Sequence, residues 1–176
     1  MKDRIILITG PKHSGKSLCA LALGKITVCE AVDLDEFIEK QSGKTPRALF
    51  EEGPEFFRKA EALALASLIR QRFRIIAAGG GLIDNPEALA LLSRRREIIP
   101  VYLDVSAETA WQRILHAAEG GKLPPFLNTE NPRETHLALH KRRAESYKTL
   151  ARFTIFAENK SPEEIAGEIA ERLKTL

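Results

Sequence analysis

Short apolar runs alternate along the chain with longer stretches in which apolar residues recur at helical spacing. The runs at 4–9, 26–33, 74–78, 97–104 and 152–157 predict strands. Helices are expected at 15–25, 34–41 and 54–73, the last with Pro54 in its first turn, where a missing N–H costs little. Further helices are expected after Asn85, a predicted N-cap, from Ser106 to about residue 116, over 133–150, and from Ser161-Pro162-Glu163-Glu164, a cap followed by N-terminal acids. Residues 46–50 read as one more turn. Residues 117–132 hold Gly120, Gly121, Pro124, Pro125 and Pro132 and read as a mobile loop.

Five strands alternating with helices predict an α/β fold, a five-stranded parallel sheet between two helical layers. Ligands of such sheets bind at the carboxyl ends of the strands. The conspicuous residues after the first three strands fall there: a glycine loop, an acid pair and three consecutive glycines.

The glycine loop is Gly10-Pro11-Lys12-His13-Ser14-Gly15-Lys16-Ser17, which fits G-x-x-x-x-G-K-[ST] between a strand and a helix. Glycines let backbone N–H groups turn inward around phosphates, and the following helix adds the positive end of its dipole. Lys16 is expected on the β- and γ-phosphates and Ser17 on Mg²⁺, with Leu18 closing the loop segment. The motif alone leaves motor, switch, ATPase and kinase open. His13 reads as loop filler rather than a catalytic group.

Asp33 and Asp35 end the second strand. Asp33 could serve the metal and Asp35 an acceptor hydroxyl; the alternative is that Asp35 caps the next helix and Asp33 is surface charge. Arg58, taken alone, reads as a solvated helical arginine. Gly79-Gly80-Gly81 sacrifice backbone entropy, which close approach of a ligand to the main chain would explain. Arg143 precedes Tyr147 on an amphipathic helix, beside Lys141 and Arg142, which look solvated. Arginine matches a carboxylate in planar, bidentate geometry. Arg94-Arg95-Arg96 is most simply a charged helix end.

The 176 residues fit one domain, 1–176. An apolar fraction of 44% and a charged fraction of 29% are those of an ordinary globule, and a net charge of +3 does not suggest a nucleic-acid partner. Cys19 and Cys29, expected in a helix and a strand, have no metal-type spacing and read as reduced, buried thiols. The chain shows neither a signal peptide nor a membrane span, so a cytoplasmic monomer with a small-molecule partner and no membrane or nucleic acid is expected.

Taken together, these residues resemble the shikimate kinase family over nearly the whole chain. The landmarks are the loop at 10–17, the stretch 33–39, Leu49-Phe50-Glu51-Glu52-Gly53 leading to Phe57-Arg58 and Glu61, the glycines 79–81, the stretch 101–105, and Arg143 ahead of Tyr147. The resemblance implies a P-loop fold of the nucleoside-monophosphate-kinase type, with an acceptor segment near 34–61 and a closing lid near 117–132. It implies ATP and Mg²⁺, the metal on Ser17 and Asp33, and shikimate on Asp35, Arg58, Gly79, Gly80, Gly81 and Arg143, with both arginines on its carboxylate. Arg113 resembles the family arginine near the adenine, and 159–162 the adenine-side loop. Three departures stand out: His13 replaces a usual glycine, Pro54 a usual glutamate, and Pro124 a lid arginine that reaches across the phosphates. Lys122 is the nearest cation to substitute, which adds it to Lys16 and Asp35 as a catalytic candidate. The departures keep two alternatives in play: a kinase for another small acceptor, such as gluconate or a nucleoside monophosphate, and a nucleotide-binding pseudo-kinase.

Overall fold

The fold is that of a computed structural model describing residues 4–118 and 122–176. Five strands form one parallel sheet: β1 (Ile5–Thr9), β2 (Ala31–Asp33), β3 (Ile75–Ala77), β4 (Ile98–Asp104) and β5 (Phe153–Phe156), in the order β2-β3-β1-β4-β5. Strand β1 is central, and every residue of it is buried because both faces of the sheet are covered. Ile6 and Ile8 point into one core with Cys19, Leu23, Ile165 and Ile169. Ile5 and Leu7 point into the other with Leu34, Leu65, Leu68 and Leu92. The period of two along one strand therefore anchors both helical layers.

The helices are α1 (Lys16–Thr27), α2 (Leu34–Ser42), α3 (Pro46–Glu52), α4 (Pro54–Arg70), α5 (Pro86–Ser93), α6 (Ala107–Ala117), α7 (Pro132–Leu150) and α8 (Pro162–Lys174). Their starts follow local chemistry. Thr45, Asn85 and Ser106 accept from the backbone N–H three residues on, and Ser161 with Glu164 completes a capping box. Each such cap is worth about 1 kcal/mol.

Five sequence expectations are corrected. Residues 26–30 are not strand: α1 continues to Thr27, whose Oγ1 donates to Leu23 O, and Val28 ends it at φ 52. The run looked like a strand because Ile26 and Val28 are apolar, but they are 50% and 92% exposed. Cys29 accordingly sits half-buried in the turn, whereas Cys19 is buried, its thiol pushed up to about 12 by burial. Residues 46–52 form a full helix rather than a turn, and α4 stops at Arg70. The segment expected as loop contains the 3₁₀ turn Pro125–Leu127 within its described part; Gly120 and Gly121 lie outside the described residues.

Gly24 is the tightest point between α1 and the turn after it. A Cβ there would stand 2.7 Å from the Cys29 carbonyl oxygen. Alanine would gain about 1 kcal/mol of helix propensity, but the backbone must move to admit it, at about 1–3 kcal/mol. Gly24→Ala is expected to lower stability to urea by about 1 kcal/mol net and leave ADP affinity unchanged; a more stable variant would contradict the packing.

Candidate active site

The loop after β1 is shaped by its own backbone. Gly10 has φ 146 and lies against β4, where a Cβ would stand 2.7 Å from Leu103 O. Gly15 caps α1 at φ 93. His13 also adopts a positive φ, 60, which costs a non-glycine residue roughly 1 kcal/mol. Its carbonyl accepts from Arg113 Nη1 at 3.1 Å, so α6 braces the loop. Burial, then Lys12, Lys16 and Arg113, lower the His13 imidazole to about 4, which leaves it neutral at pH 7.

Lys16 is buried and donates to Pro11 O at 2.6 Å. Burial lowers its ammonium to about 8 against the pull of Asp35. A triphosphate seated in the loop would favour the charged form further. Leu18 faces outward, 60% exposed. Beside the loop, Ser106, the cap of α6, and Thr109 within it donate to Glu158, and Arg113 acts on the same carboxylate, so the segment before α8 adjoins Arg113.

Asp33, not Asp35, caps α2: its Oδ1 accepts from the N–H groups of Asp35 and Glu36. Its Oδ2 accepts from Ser17 Oγ. A hydroxyl and a carboxylate meeting at the mouth of a phosphate loop are hard oxygen donors. They fit Mg²⁺, which takes one or two protein ligands and completes its shell with phosphate and water.

The cap turns Asp35 inward. Asp35 Oδ1 and Glu61 Oε1 are both buried without a hydrogen-bond partner among the described residues. Both stand over Gly79, where a Cβ would meet them at 3.0 and 2.9 Å. Burial raises Asp35, helped by Asp33 and opposed by Lys12 and Lys16. Burial raises Glu61 to about 7, opposed by Asn85, whose Nδ2 donates to Glu61 Oε2 at 2.9 Å. Two such oxygens over a residue that has no side chain are able to accept from hydroxyl groups.

Gly80 is the seam of the site: a Cβ there would lie 2.9 Å from Lys12 N, in the backbone of the phosphate loop. Its carbonyl accepts from Tyr147 Oη at 2.6 Å and from Arg143 Nη1 at 3.1 Å. Arg143 also donates Nε–H to Asp84 at 2.8 Å, and its guanidinium lies over Phe126. Asp84 takes Arg142 in a bidentate pair, so Arg142 is not merely solvated. Although burial opposes it, these arginines hold Asp84 below its ordinary value. Arg143 is thus fixed in orientation, with N–H groups of both terminal nitrogens left over. Gly81 lies beneath it, its Cβ direction 3.7 Å from Nη2.

Arg58 is exposed on α4. Its charge, like those of Asp35 and Arg143, is felt at the buried Glu61 carboxyl. Lys122 is exposed, and its carbonyl and that of Leu123 accept from Arg47 of α3 at 3.4 and 3.2 Å. Glu61, Asp84 and the hydroxyl of Tyr147 are site residues that the sequence reading left unassigned. Glu61 lies one helical turn after Arg58, and Asp84 three residues after the glycines, but their partners are distant in sequence.

The raised Glu61 makes stability depend on pH. Its folded value, about 7, exceeds the ordinary 4.5, so the folded chain holds a proton that the unfolded chain has released between those values. Stability is therefore lost as pH rises through 7, by roughly 1–3 kcal/mol. Glu61→Gln keeps an acceptor for Asn85 and removes the charge. The variant is expected to lose less stability than the wild type between pH 5 and 8, compared by urea unfolding; identical pH profiles would contradict the burial of a titrating carboxyl.

Comparison with known proteins agrees with this geometry. A model of the shikimate kinase family matches residues 12–174. The chain is 33% identical over 174 residues to the shikimate kinase of Vibrio parahaemolyticus, covering 98% of each. It is 32% identical over 176 residues to that of Actinobacillus pleuropneumoniae serotype 5b, covering 99% of this chain and 98% of the relative. The structure of shikimate kinase from Acinetobacter baumannii in complex with shikimate superposes with a TM-score of 0.87 at 28% identity, over 98% of this chain and 93% of that one. The Aquifex aeolicus enzyme gives 0.77 at 27% identity, over 97% and 96%. A P-loop joined to a carboxylate-lined glycine floor, within a fold and sequence matched over nearly the whole chain, places this chain in the shikimate kinase family, whose members are phosphotransferases acting on a hydroxyl group.

Proposed function

We propose that this chain transfers the γ-phosphoryl group of ATP to a hydroxyl of shikimate, giving shikimate 3-phosphate in the aromatic amino acid pathway. The observation that carries the reading is the pair of unpartnered oxygens, Asp35 Oδ1 and Glu61 Oε1, over Gly79. They suit the hydroxyls of a polyol, and the Lys16 side chain is close enough for its charge to act on Asp35.

ATP takes the loop at 10–17, with Lys16 on the outer phosphates and Arg113 on the nucleotide side. Ser17 and Asp33 would hold Mg²⁺, which when bound neutralises charge on the phosphates. The acceptor carboxylate meets Arg58 and the free N–H groups of Arg143, while Gly79, Gly80 and Gly81 let its ring lie against the main chain. Asp35 aligns the hydroxyl. The hydroxyl oxygen bonds to the γ-phosphorus as the bond to the bridging oxygen breaks, ADP leaves with that electron pair, and the proton passes to Asp35. Burial favours the protonated form of Asp35, which suits it to receive that proton. Exclusion of water by the segment 117–132 limits ATP hydrolysis.

Release of ADP is expected to require shikimate in a coupled assay, with gluconate and nucleoside monophosphates inactive. Arg143→Ala is expected to raise KM for shikimate at least about tenfold and leave KM for ATP within about threefold. No shikimate-dependent ADP, or equal loss for both substrates, would contradict the reading.

A further inference from the structure

The positive groups around the site differ in how far they are already engaged. Lys16 donates to Pro11 O and Arg113 to His13 O. Arg143 is divided between Asp84 and Gly80 O, and Arg47 between Glu51 and the carbonyls of Lys122 and Leu123. Lys12 is exposed and makes no hydrogen bond or ion pair among the described residues.

Its position is unusual for a free lysine. The backbone of residue 12 is what a Gly80 side chain would strike, at 2.9 Å, so Lys12 stands where the phosphate loop touches the acceptor floor. It lines the cleft between the loop and α7 together with Arg143, Tyr147 and Phe126. Its charge acts on Asp35, Lys16 and His13. Arg58 is also uncommitted, but lies on the Glu61 side. Lys122 is exposed, and its main chain is tied to α3.

We propose that Lys12 is a catalytic residue of this enzyme, its ammonium resting on the transferred phosphoryl group between the triphosphate and the acceptor hydroxyl. The proposal rests on the reading of the pocket as a shikimate-phosphorylating site. Lys12 offsets the negative charge on the γ-phosphoryl oxygens as that group passes between two oxygens, where charge on a loose transition state is most exposed. Lys16 serves the side of the phosphates within the loop, and Lys12 the side facing the acceptor. The lid segment, with Pro124 in place of an arginine, then needs to exclude water but not to supply charge.

The test compares the full-length wild type with Lys12→Met, Lys12→Arg and Lys122→Met in ADP release with ATP and shikimate. Affinities for ADP, and for ADP–aluminium fluoride with shikimate present, are measured alongside. Lys12→Met is expected to lower kcat roughly 100-fold or more with both KM values within about threefold. It should bind ADP normally and lose affinity for the aluminium fluoride complex in proportion to the loss in kcat, which a merely structural role would not do. Lys12→Arg should recover most of the rate, and Lys122→Met should lose at least about tenfold less than Lys12→Met. A Lys12→Met kcat within threefold of wild type, a loss confined to KM for ATP, or a larger loss in Lys122→Met would overturn the proposal while leaving the shikimate reading intact. A wild type without shikimate-dependent turnover would overturn both.

Discussion

Everything at this site depends on how closely two stretches of main chain approach each other. Gly80, after β3, lies so near the amide of Lys12 that no side chain fits between them. The phosphate loop follows the central strand β1 and the glycines follow its neighbour β3, so the sheet register itself sets the contact. The far side of Gly80 is pinned through its carbonyl by Tyr147 and Arg143 of α7. One peptide thus fixes the distance between the phosphate loop and the glycine floor, and its carbonyl is held by the helix that carries Arg143 and Tyr147.

Electrostatics then divides the labour. The acceptor side holds two buried carboxyls whose burial favours the protonated form. The nucleotide side holds a buried ammonium whose burial favours the neutral form. Asp35 and Lys16 are each held away from their ordinary state by desolvation and brought back by the other's charge, so the unliganded pocket is a poor place for isolated charge and a good one for a triphosphate beside a polyol. The arrangement pre-orders the groups before substrate arrives. Capping of α2 by Asp33 points Asp35 inward, and Asn85 both caps α5 and holds Glu61. Secondary-structure chemistry and site chemistry share the same side chains.

Much of this was legible in the sequence because its causes are local. The phosphate loop needs glycines at fixed spacing next to a strand and a helix, and the three glycines at 79–81 announce close approach whatever the partner. The five strands and the parallel arrangement followed from alternation of periods. What could not be read were partners distant along the chain. Arg142 looked solvated because Asp84 lies 58 residues away. Asp35 looked like a possible cap because either acid satisfies the same N–H groups in sequence terms, and only the turn geometry chooses Asp33. Residues 26–28 looked like strand because β-branched residues favour it, but the helix end left them exposed instead of burying them.

The central claim is that the surface above Gly79 is the acceptor's seat rather than a turn that happens to be flexible. Calorimetry of shikimate and ADP binding to Gly79→Ala addresses it most directly, since the added methyl would press on Asp35 and Glu61 at about 3.0 and 2.9 Å without reaching the phosphate loop. Loss of shikimate affinity by about tenfold or more with ADP affinity retained is the result this account predicts. Unchanged shikimate binding in a folded variant would contradict it.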